Sequence, residues 1–411
     1  MRDLLAAPDF RAFLAASLLA RLSESALAVL LGITVYQTAH TALALGWLGL
    51  AEAAPMIGLV LLGGHVADRF SRRRITVLAR FALAALAGGI AAVTALAPGG
   101  GLGALYALAF VAGCVRAFED PATAGLEAQV VPIAHAVRAA SLIGSLGRAC
   151  ALGGPVAGGV LYDIIGPAPT YALLAALMAL SAGVLLAGVP ARAPHAPAGP
   201  RPRMVANIAE GVRYVFSDQV IVGSMALDLF AVFFGGVTGL LPIFATDILH
   251  TGPAGVGLLR AAASAGALAA MVIATRHPPR ARAGIALHAA IAGFGLSIIV
   301  FGLSTSFALS MAALFAAGAC DGISVVVRHA ILRVVAPDAM RGRISAVRSV
   351  FINASNELGD FESGIAASFL GAAAAVWAGG LVTLAVVGLT AWHAPKLRRL
   401  DLQALMERQG R

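Results

Sequence analysis

Charge is what this chain has least of. Only 12% of its 411 residues are Asp, Glu, Lys or Arg, against about 25% in an average soluble domain, while 60% are hydrophobic. A soluble chain of this length divides into domains with polar surfaces between them, yet here apolar runs recur from end to end, so the solvent is read as lipid. Cysteine is equally sparse: Cys114, Cys150 and Cys320 are odd in number, far apart and inside apolar runs. That spacing excludes a disulfide framework and a zinc site and leaves them as packing residues. The nine histidines are scattered, with no metal-ligand pair, zinc-protease helix motif or serine–histidine pairing, and no phosphate-binding glycine–lysine loop occurs. Neither an enzyme nor a nucleotide-driven pump is expected, and no cofactor. Aromatics make up 6% and the arginines stand between apolar runs, so the formal charge of +9 is not the footprint of a nucleic-acid partner. Lysine occurs once, and the Ala- and Arg-rich usage points to a GC-rich bacterial genome.

What is present in quantity is bilayer-length hydrophobic sequence, which needs about 20 residues per crossing. Twelve such stretches are read, at 11–37, 42–66, 75–97, 102–128, 138–164, 169–189, 219–248, 253–275, 284–305, 308–330, 342–368 and 371–393. The first carries Arg21 and Glu24 in its middle and no convincing cleavage site follows, so it is read as a retained span rather than a secretory signal. Arginine clusters fall in alternate turns, at 69–74, 138, 192–213, 276–282, 333–343 and 396–399, whereas the turns near His40, Gly99, Gly166, His250, Ser306 and Gly371 carry none. Arginine-rich loops stay cytoplasmic, which puts both termini inside.

The longest polar stretch, 190–217, mixes five prolines with arginines and is read as a linker between halves. Sliding the chain by 205 positions pairs Phe110 with Phe315, Gly113 with Gly318, Pro132 with Pro337, Arg138 with Arg343, Gly154 with Gly359 and Gly159 with Gly364. The expected organisation is an all-α membrane protein of twelve helices in two pseudo-symmetric six-helix bundles. Residues 1–189 form the first, 190–217 a cytoplasmic linker, 218–394 the second and 395–411 a cytoplasmic tail. Repeats of this kind place a substrate site near mid-membrane.

Between the second and third stretches stands Gly64-His-Val-Ala-Asp68-Arg69-Phe-Ser-Arg72-Arg73-Arg74, which resembles the signature loop of the major facilitator superfamily. Span number, linker and repeat agree with that resemblance over essentially the whole chain. It implies a gate that closes the cytoplasmic side, carried by Gly64, Asp68, Arg69, Arg72 and Glu127. Asp68 would meet the positive end of the eleventh span, and Arg69 would pair with Glu127. Arg73 and Arg74 serve equally well as topology signals. Cys150 and Gly153 to Gly159, with Gly154, Pro155, Gly158 and Gly159 as the core, resemble the glycine–proline motif of antiporter members, although Cys150 replaces its leading glycine and close helix packing explains the same residues. Arg116 to Ala122 and Arg341 to Gly364 resemble the enterobactin-exporter-like branch, with macrolide-efflux transporters as neighbours. The resemblance implies export from a bacterial inner membrane.

Ionisable groups in mid-membrane cost at least about 2.5 kcal/mol each, so their placement is informative. At 100° per residue, Arg116, Glu119, Asp120, Thr123 and Glu127 share one helix face, and Ser349, Asn353, Asn356, Glu357 and Asp360 another. Proton coupling needs a carboxylate that alternates between dry and wet surroundings, and Glu357, Asp228 and Glu52 are the candidates in that order. Arg21 with Glu24, and Arg116 with Asp120 or Glu119, are read as neutralising pairs, while Asp321 either pairs with Arg328 or Arg116 or meets substrate. Phe230, Phe233 and Phe234, with Asn353, Asn356 and Asp360, are candidate cavity residues, a reading that competes with a lipid-facing or core aromatic stripe. The expected partners are a small amphipathic substrate, protons and the bilayer, and the expected state is a monomer. Uptake of a nutrient and a non-transporting, receptor-like role share the fold and stay open.

Overall fold

The computed structural model describes residues 7–97, 99–131, 135–191, 204–276, 281–337 and 340–408. Within its helices the side chains at 61, 137, 204–209, 275, 341–343, 345–347, 349–354, 356 and 357 lie outside the described residues, which takes in Ser349, Asn353, Asn356 and Glu357. Among the described residues the fold is helical and has no strand. Lipid offers no hydrogen-bond partners, so each crossing must satisfy its own backbone, and a helix does so.

In the first half the long helices are α1 (Pro8–Ala39), α2 (Ala42–Arg69), α3 (Arg72–Leu96), α4 (Leu102–Val130), α5 (Ala136–Ile165) and α6 (Pro167–Gly188). A short helix α7 (Met204–Ser217) lies within the stretch read as a linker, and its polar and apolar residues segregate strongly. The second half runs α8 (Gln219–Gly235), α9 (Gly252–Arg276), α10 (Ala283–Leu303), α11 (Phe307–Val335), α12 (Arg341–Leu370) and α13 (Ala372–His393), followed by α14 (Pro395–Arg398) and α15 (Leu402–Arg408). Ten segments among the described residues are long and apolar enough to cross a membrane, one of them joining α8 to the turns that follow it through Ile248. α5 and α12 stand outside that set.

The repeat is visible in helix boundaries. α4, α5 and α6 start at 102, 136 and 167, and α11, α12 and α13 start at 307, 341 and 372, a constant separation of 205. The turns without arginine break the helices with positive φ, His40 and His250 at 51° and 52° and Gly166 and Gly371 at 81° and 85°.

The chain divides into two compact units, 1–198 with 245–261, and 199–244 with 262–411. In the first, α2 packs on α4, α3 on α6, and α1 on α5 and α6. A Cβ at Gly63 would sit 1.9 Å from the Ala117 carbonyl oxygen and one at Gly113 2.3 Å from that of Glu52, so α2 and α4 touch backbone to backbone. The second unit repeats the device: Gly266 abuts the Phe315 carbonyl and Gly318 that of Ala263, each at 1.9 Å by the same measure. Lipid supplies no hydrophobic drive between helices, so this close approach is what holds them.

The second half of the chain also contains a break. α8 ends at Gly235, and a 3-10 turn (Thr238–Leu240) and a π turn (Phe244–Ile248) carry the chain onward. α12 repairs the freed backbone: the Ser363 hydroxyl donates to the Gly236 carbonyl at 3.1 Å, and Asp360 accepts from the Gly239 N–H at 3.1 Å. Non-helical backbone survives at membrane depth only where protein re-satisfies it in this way. The C-terminal segment docks on the second unit, burying Leu397, Leu400 and Leu402 against Leu287 and Ile331.

Candidate functional site

The first unit gathers its intramembrane charges from four helices. Arg80 on α3 is 2% exposed and Glu119 on α4 4% exposed, and the Arg80 Nε donates to Glu119 Oε1 at 3.0 Å. Its Nη1 donates to the Ser181 Oγ at 2.8 Å, and that hydroxyl donates to the Ala16 carbonyl at 2.7 Å. One arginine therefore ties α3, α4, α6 and α1 together, with its charge met by Glu119. Arg116 reaches across to Glu52 on α2 at 3.5 Å. Asp120 is exposed and has Glu24, Arg116 and Arg21 as charged neighbours.

The Glu119 contact corrects one of the pairings expected from helix periodicity, while Asp120 keeps Arg116 as a charged neighbour. Glu119 goes to Arg80, not Arg116, because the partner comes from the helix packed against it rather than from its own turn. Arg116 spans to α2 for the same reason. Arg21 and Glu24 make no direct ion pair among the described residues; the Arg21 guanidinium instead lies over Gly147 of α5, where no side chain opposes it.

At the C-terminal end of α2 the residues expected to form a gate are arranged around Arg72. Its Nη2 is 3.4 Å from Asp68 Oδ1, and its Nη1 donates to the Gly125 carbonyl on α4 at 3.1 Å. A Cβ at Gly125 would stand 2.6 to 2.8 Å from that guanidinium, so the glycine is the groove in which Arg72 lies. Arg69 and Glu127 form no ion pair among the described residues, which corrects the expected contact: Arg72, one turn beyond Asp68, occupies the approach to α4. Gly64 remains in the last turns of α2. Arg73 donates to the Leu186 carbonyl near the end of α6.

The glycine–proline run on α5 makes close contacts throughout. A Cβ at Gly154 would meet Ser25 Oγ at 2.0 Å, one at Gly158 the Ala26 Cβ at 3.0 Å, and one at Gly159 the Pro253 carbonyl at 2.5 Å. Reciprocally, Gly257 faces the Pro155 carbonyl at 2.3 Å. The same unit holds Tyr36, whose hydroxyl donates to Asp247, and Asp163, which accepts from the Ala254 N–H at 2.9 Å.

In the second unit Asp228 on α8 (7% exposed) and Arg328 on α11 (6% exposed) form a direct ion pair. Arg328 also lies 3.8 Å from Asp321 and donates from Nε to the Ser324 Oγ at 3.1 Å. Two small pockets open here, one on the pair and one on Asp228 alone. One is lined by Ser224, Met225, Asp228, Arg328, Ile344 and Arg348 among others, and a second by Asp228, Phe294, Cys320, Asp321 and Ser324 among others. Phe230, Phe233 and Phe234 form an aromatic cluster on α8, Phe230 stacked on Phe234 at 6.3 Å and Phe233 edge-on to it at 4.9 Å. Phe230 is exposed, and the Phe233 backbone abuts Gly359 of α12. Asp360, expected in a cavity, spends an oxygen on the α8 break. Asn353, Asn356 and Glu357 lie on α12 with side chains outside the described residues.

Sequence reading passed over Arg80, a lone arginine five residues into the stretch read at 75–97. The signal was there: an arginine inside a span needs an acid, and Glu119 has the depth to be one. Arg348, Ser355 and Ser363 were passed over too.

Among the described residues no group of three or more His, Cys, Asp or Glu is placed to hold a metal ion. Residues 13–355 match the sequence profile of the Major Facilitator Superfamily. The enterobactin exporter EntS of Citrobacter koseri is 28% identical over 365 residues, covering 89% of this chain and 85% of that protein. Its counterpart from Shigella dysenteriae serotype 1 is 27% identical with the same coverage. Among solved structures, a POT family transporter in complex with 5-aminolevulinic acid superposes with a TM-score of 0.73 at 14% identity, covering 94% of this chain and 96% of that one. The nucleoside transporter NupG gives 0.67 at 13% identity, with 96% and 98% covered. At those identities the structures speak to the fold alone.

Proposed function

The chain belongs to the major facilitator superfamily, and from that premise we propose that it is a proton-coupled exporter of a small amphipathic molecule, a siderophore or hydrophobic drug, working by alternating access. Its fold and relatives are those of membrane transporters, not of enzymes. The export direction is supported by the 28% identity to a protein named for enterobactin export.

The observation that carries the coupling is the buried Asp228–Arg328 pair at the edge of two pockets. A carboxylate paired with arginine in a dry site is held ionised by its partner. Protonating it from a wetted side removes the attraction and leaves the guanidinium to seek another anion, so proton binding and a change of partner are one event. Glu52 with Arg116 offers the same chemistry in the first unit, and Glu357 remains a candidate carrier. We assign the inner gate to Gly64, Asp68, Arg69, Arg72 and Glu127, with Arg72 as its centre, and the antiporter-like hinge to Gly154, Pro155, Gly158 and Gly159. The transporter is a monomer in a bacterial inner membrane with both termini cytoplasmic. Its halves are 1–189 and 218–394, joined by the linker 190–217 and followed by the tail 395–411.

Proton-coupled movement in inside-out vesicles tests this, with a panel of siderophores and hydrophobic antibiotics. Substrate-dependent proton release should occur with the intact protein and vanish in Asp228→Asn. Undiminished coupling in that variant would move the carrier to Glu52 or Glu357, tested as Gln variants, and accumulation without proton movement would discard the carboxylate mechanism. Movement only in the opposite direction would make the protein an importer.

A further inference from the structure

We propose that the inner third of the second unit holds a subsite for an oxyanion on the transported solute, with Arg348 as the residue that meets it. This inference rests on the transporter reading above and adds a substrate class to it: an acid with an apolar body.

The two arginines that line the pocket are provided for unequally. Arg328 has Asp228 in contact, Asp321 at 3.8 Å and the Ser324 hydroxyl at 3.1 Å. Arg348 on α12 hydrogen-bonds instead to His329 Nε2 at 3.1 Å, and among the described residues no carboxylate lies within ion-pair distance of it. The imidazole that receives this bond is neutral, because its Nδ1 lies 2.7 Å from the Val325 carbonyl and must donate there, leaving Nε2 as the acceptor. A neutral ring can aim a guanidinium but cannot balance its charge.

Position makes that imbalance consequential. Arg328 lies seven residues from the end of α11 and Arg348 seven from the start of α12, a depth of about 10 Å along each helix. Arg348 is half-buried and its partner His329 is exposed, so its guanidinium keeps donors that an incoming anion can reach. The pocket has one acid, Asp228, already engaged, and two cations. The rest of its wall is apolar, including Met225, Leu229, Ile331 and Ile344, and its volume of about 20 Å³ is that of about one water, so the apolar body of a solute enters only as the helices around it part. A planar guanidinium presents paired donors that match a carboxylate, catecholate or phosphate, and the apolar wall favours a ligand whose remaining surface is hydrocarbon. An anionic phospholipid headgroup offers the same oxyanion from the inner leaflet, so the test must separate lipid from solute.

The probes are 2-naphthoate and its uncharged counterpart 2-naphthamide, titrated calorimetrically into the full chain in phosphatidylcholine nanodiscs. The acid should bind the intact protein and the amide should not. Arg348→Gln should weaken the acid at least tenfold with its melting temperature retained, and Arg348→Lys should fall between. Met225→Trp, which fills the apolar wall and leaves both arginines, should also abolish binding and serves if the Gln variant does not fold. Equal binding of acid and amide, or undiminished binding in Arg348→Gln, would overturn the subsite. So would loss of naphthoate binding when phosphatidylglycerol is added to the discs, which would make lipid the occupant. The vesicle panel run on the same preparations keeps the two readings apart. Transport without an Arg348-dependent acid site removes only the subsite, whereas an acid site in a protein that moves nothing removes only the transporter reading.

Discussion

Each unit buries an arginine among its membrane helices, and the two are met differently. Arg80 has a carboxylate at 3.0 Å and a hydroxyl at 2.8 Å whose own proton goes to a backbone carbonyl, and no pocket among those described opens onto it. Arg328 is shared between Asp228 and Asp321 and lines a pocket together with a second arginine. Around them the scaffold repeats: Gly113 and Gly318, 205 residues apart, make the same backbone contact in each half. The packing is duplicated and the charges are not. A charge-balanced network rigidifies, whereas one with an unequal account of charge has somewhere for a proton or an anion to act.

The sharpest way to break the comparison is to remove each arginine in turn. Arg80→Gln leaves Glu119 buried without its cation and should cost about 3–5 kcal/mol of stability, read as a large drop in melting temperature of the purified protein. Replacing both partners, Arg80→Met with Glu119→Leu, should recover most of that loss, because an apolar pair needs no desolvation. Arg328→Gln should lose transport while retaining most of the stability, since its carboxylates border pockets. Equal melting losses for the two arginine variants would erase the distinction.

The shared scaffold is tested by adding a methyl group. Gly113→Ala and Gly318→Ala each push a Cβ into a carbonyl oxygen, at 2.3 Å and 1.9 Å in the present backbone, and should each cost about 1–3 kcal/mol. Gly88→Ala, in a helix with open space around the added atom, should instead stabilise by about 0.4–1 kcal/mol. A repeat that is decorative rather than structural would show the same small change at all three.

Much of this was legible from sequence, and where it was not the reason is geometric. Lipid forces helices, so the stretches read at 102–128 and 371–393 match α4 and α13 to within two residues. Periodicity put Arg116 and Glu119 on one face, but it cannot say which helix lies opposite, and Glu119 found Arg80 and Arg116 reached Glu52 across an interface. Ser355 and Ser363 carried no charge to draw attention, yet they and Asp360 fix α12 to the carbonyls and N–H groups of broken α8. Arg348 looked like one more basic residue near a basic loop. Its significance lies in what surrounds it, which a sequence does not list.

The smallest expected effect concerns the C-terminal ends of α6 and α13, which occupy equivalent places in the repeat. α6 ends with Arg73 donating to the Leu186 carbonyl, whereas α13 runs on into a docked tail. That tail is held by Asp401, which accepts from the Gln403 and Ala404 N–H groups at 2.9 and 3.2 Å and from the Arg282 N–H at 3.3 Å. Those donors lower the Asp401 pKa below its ordinary value of 3.8. A carboxylate depressed in the folded state adds stability that is present above its unfolded pKa and lost as pH falls through the folded one. At pH 6, therefore, Asp401→Asn should speed amide exchange at Gln403 and Ala404 a few-fold relative to the intact protein, and the two should converge once the acid form dominates below pH 3. A pH-independent difference would mean that the leucines alone hold the tail, and the second unit would then differ from the first at this end only by carrying more chain.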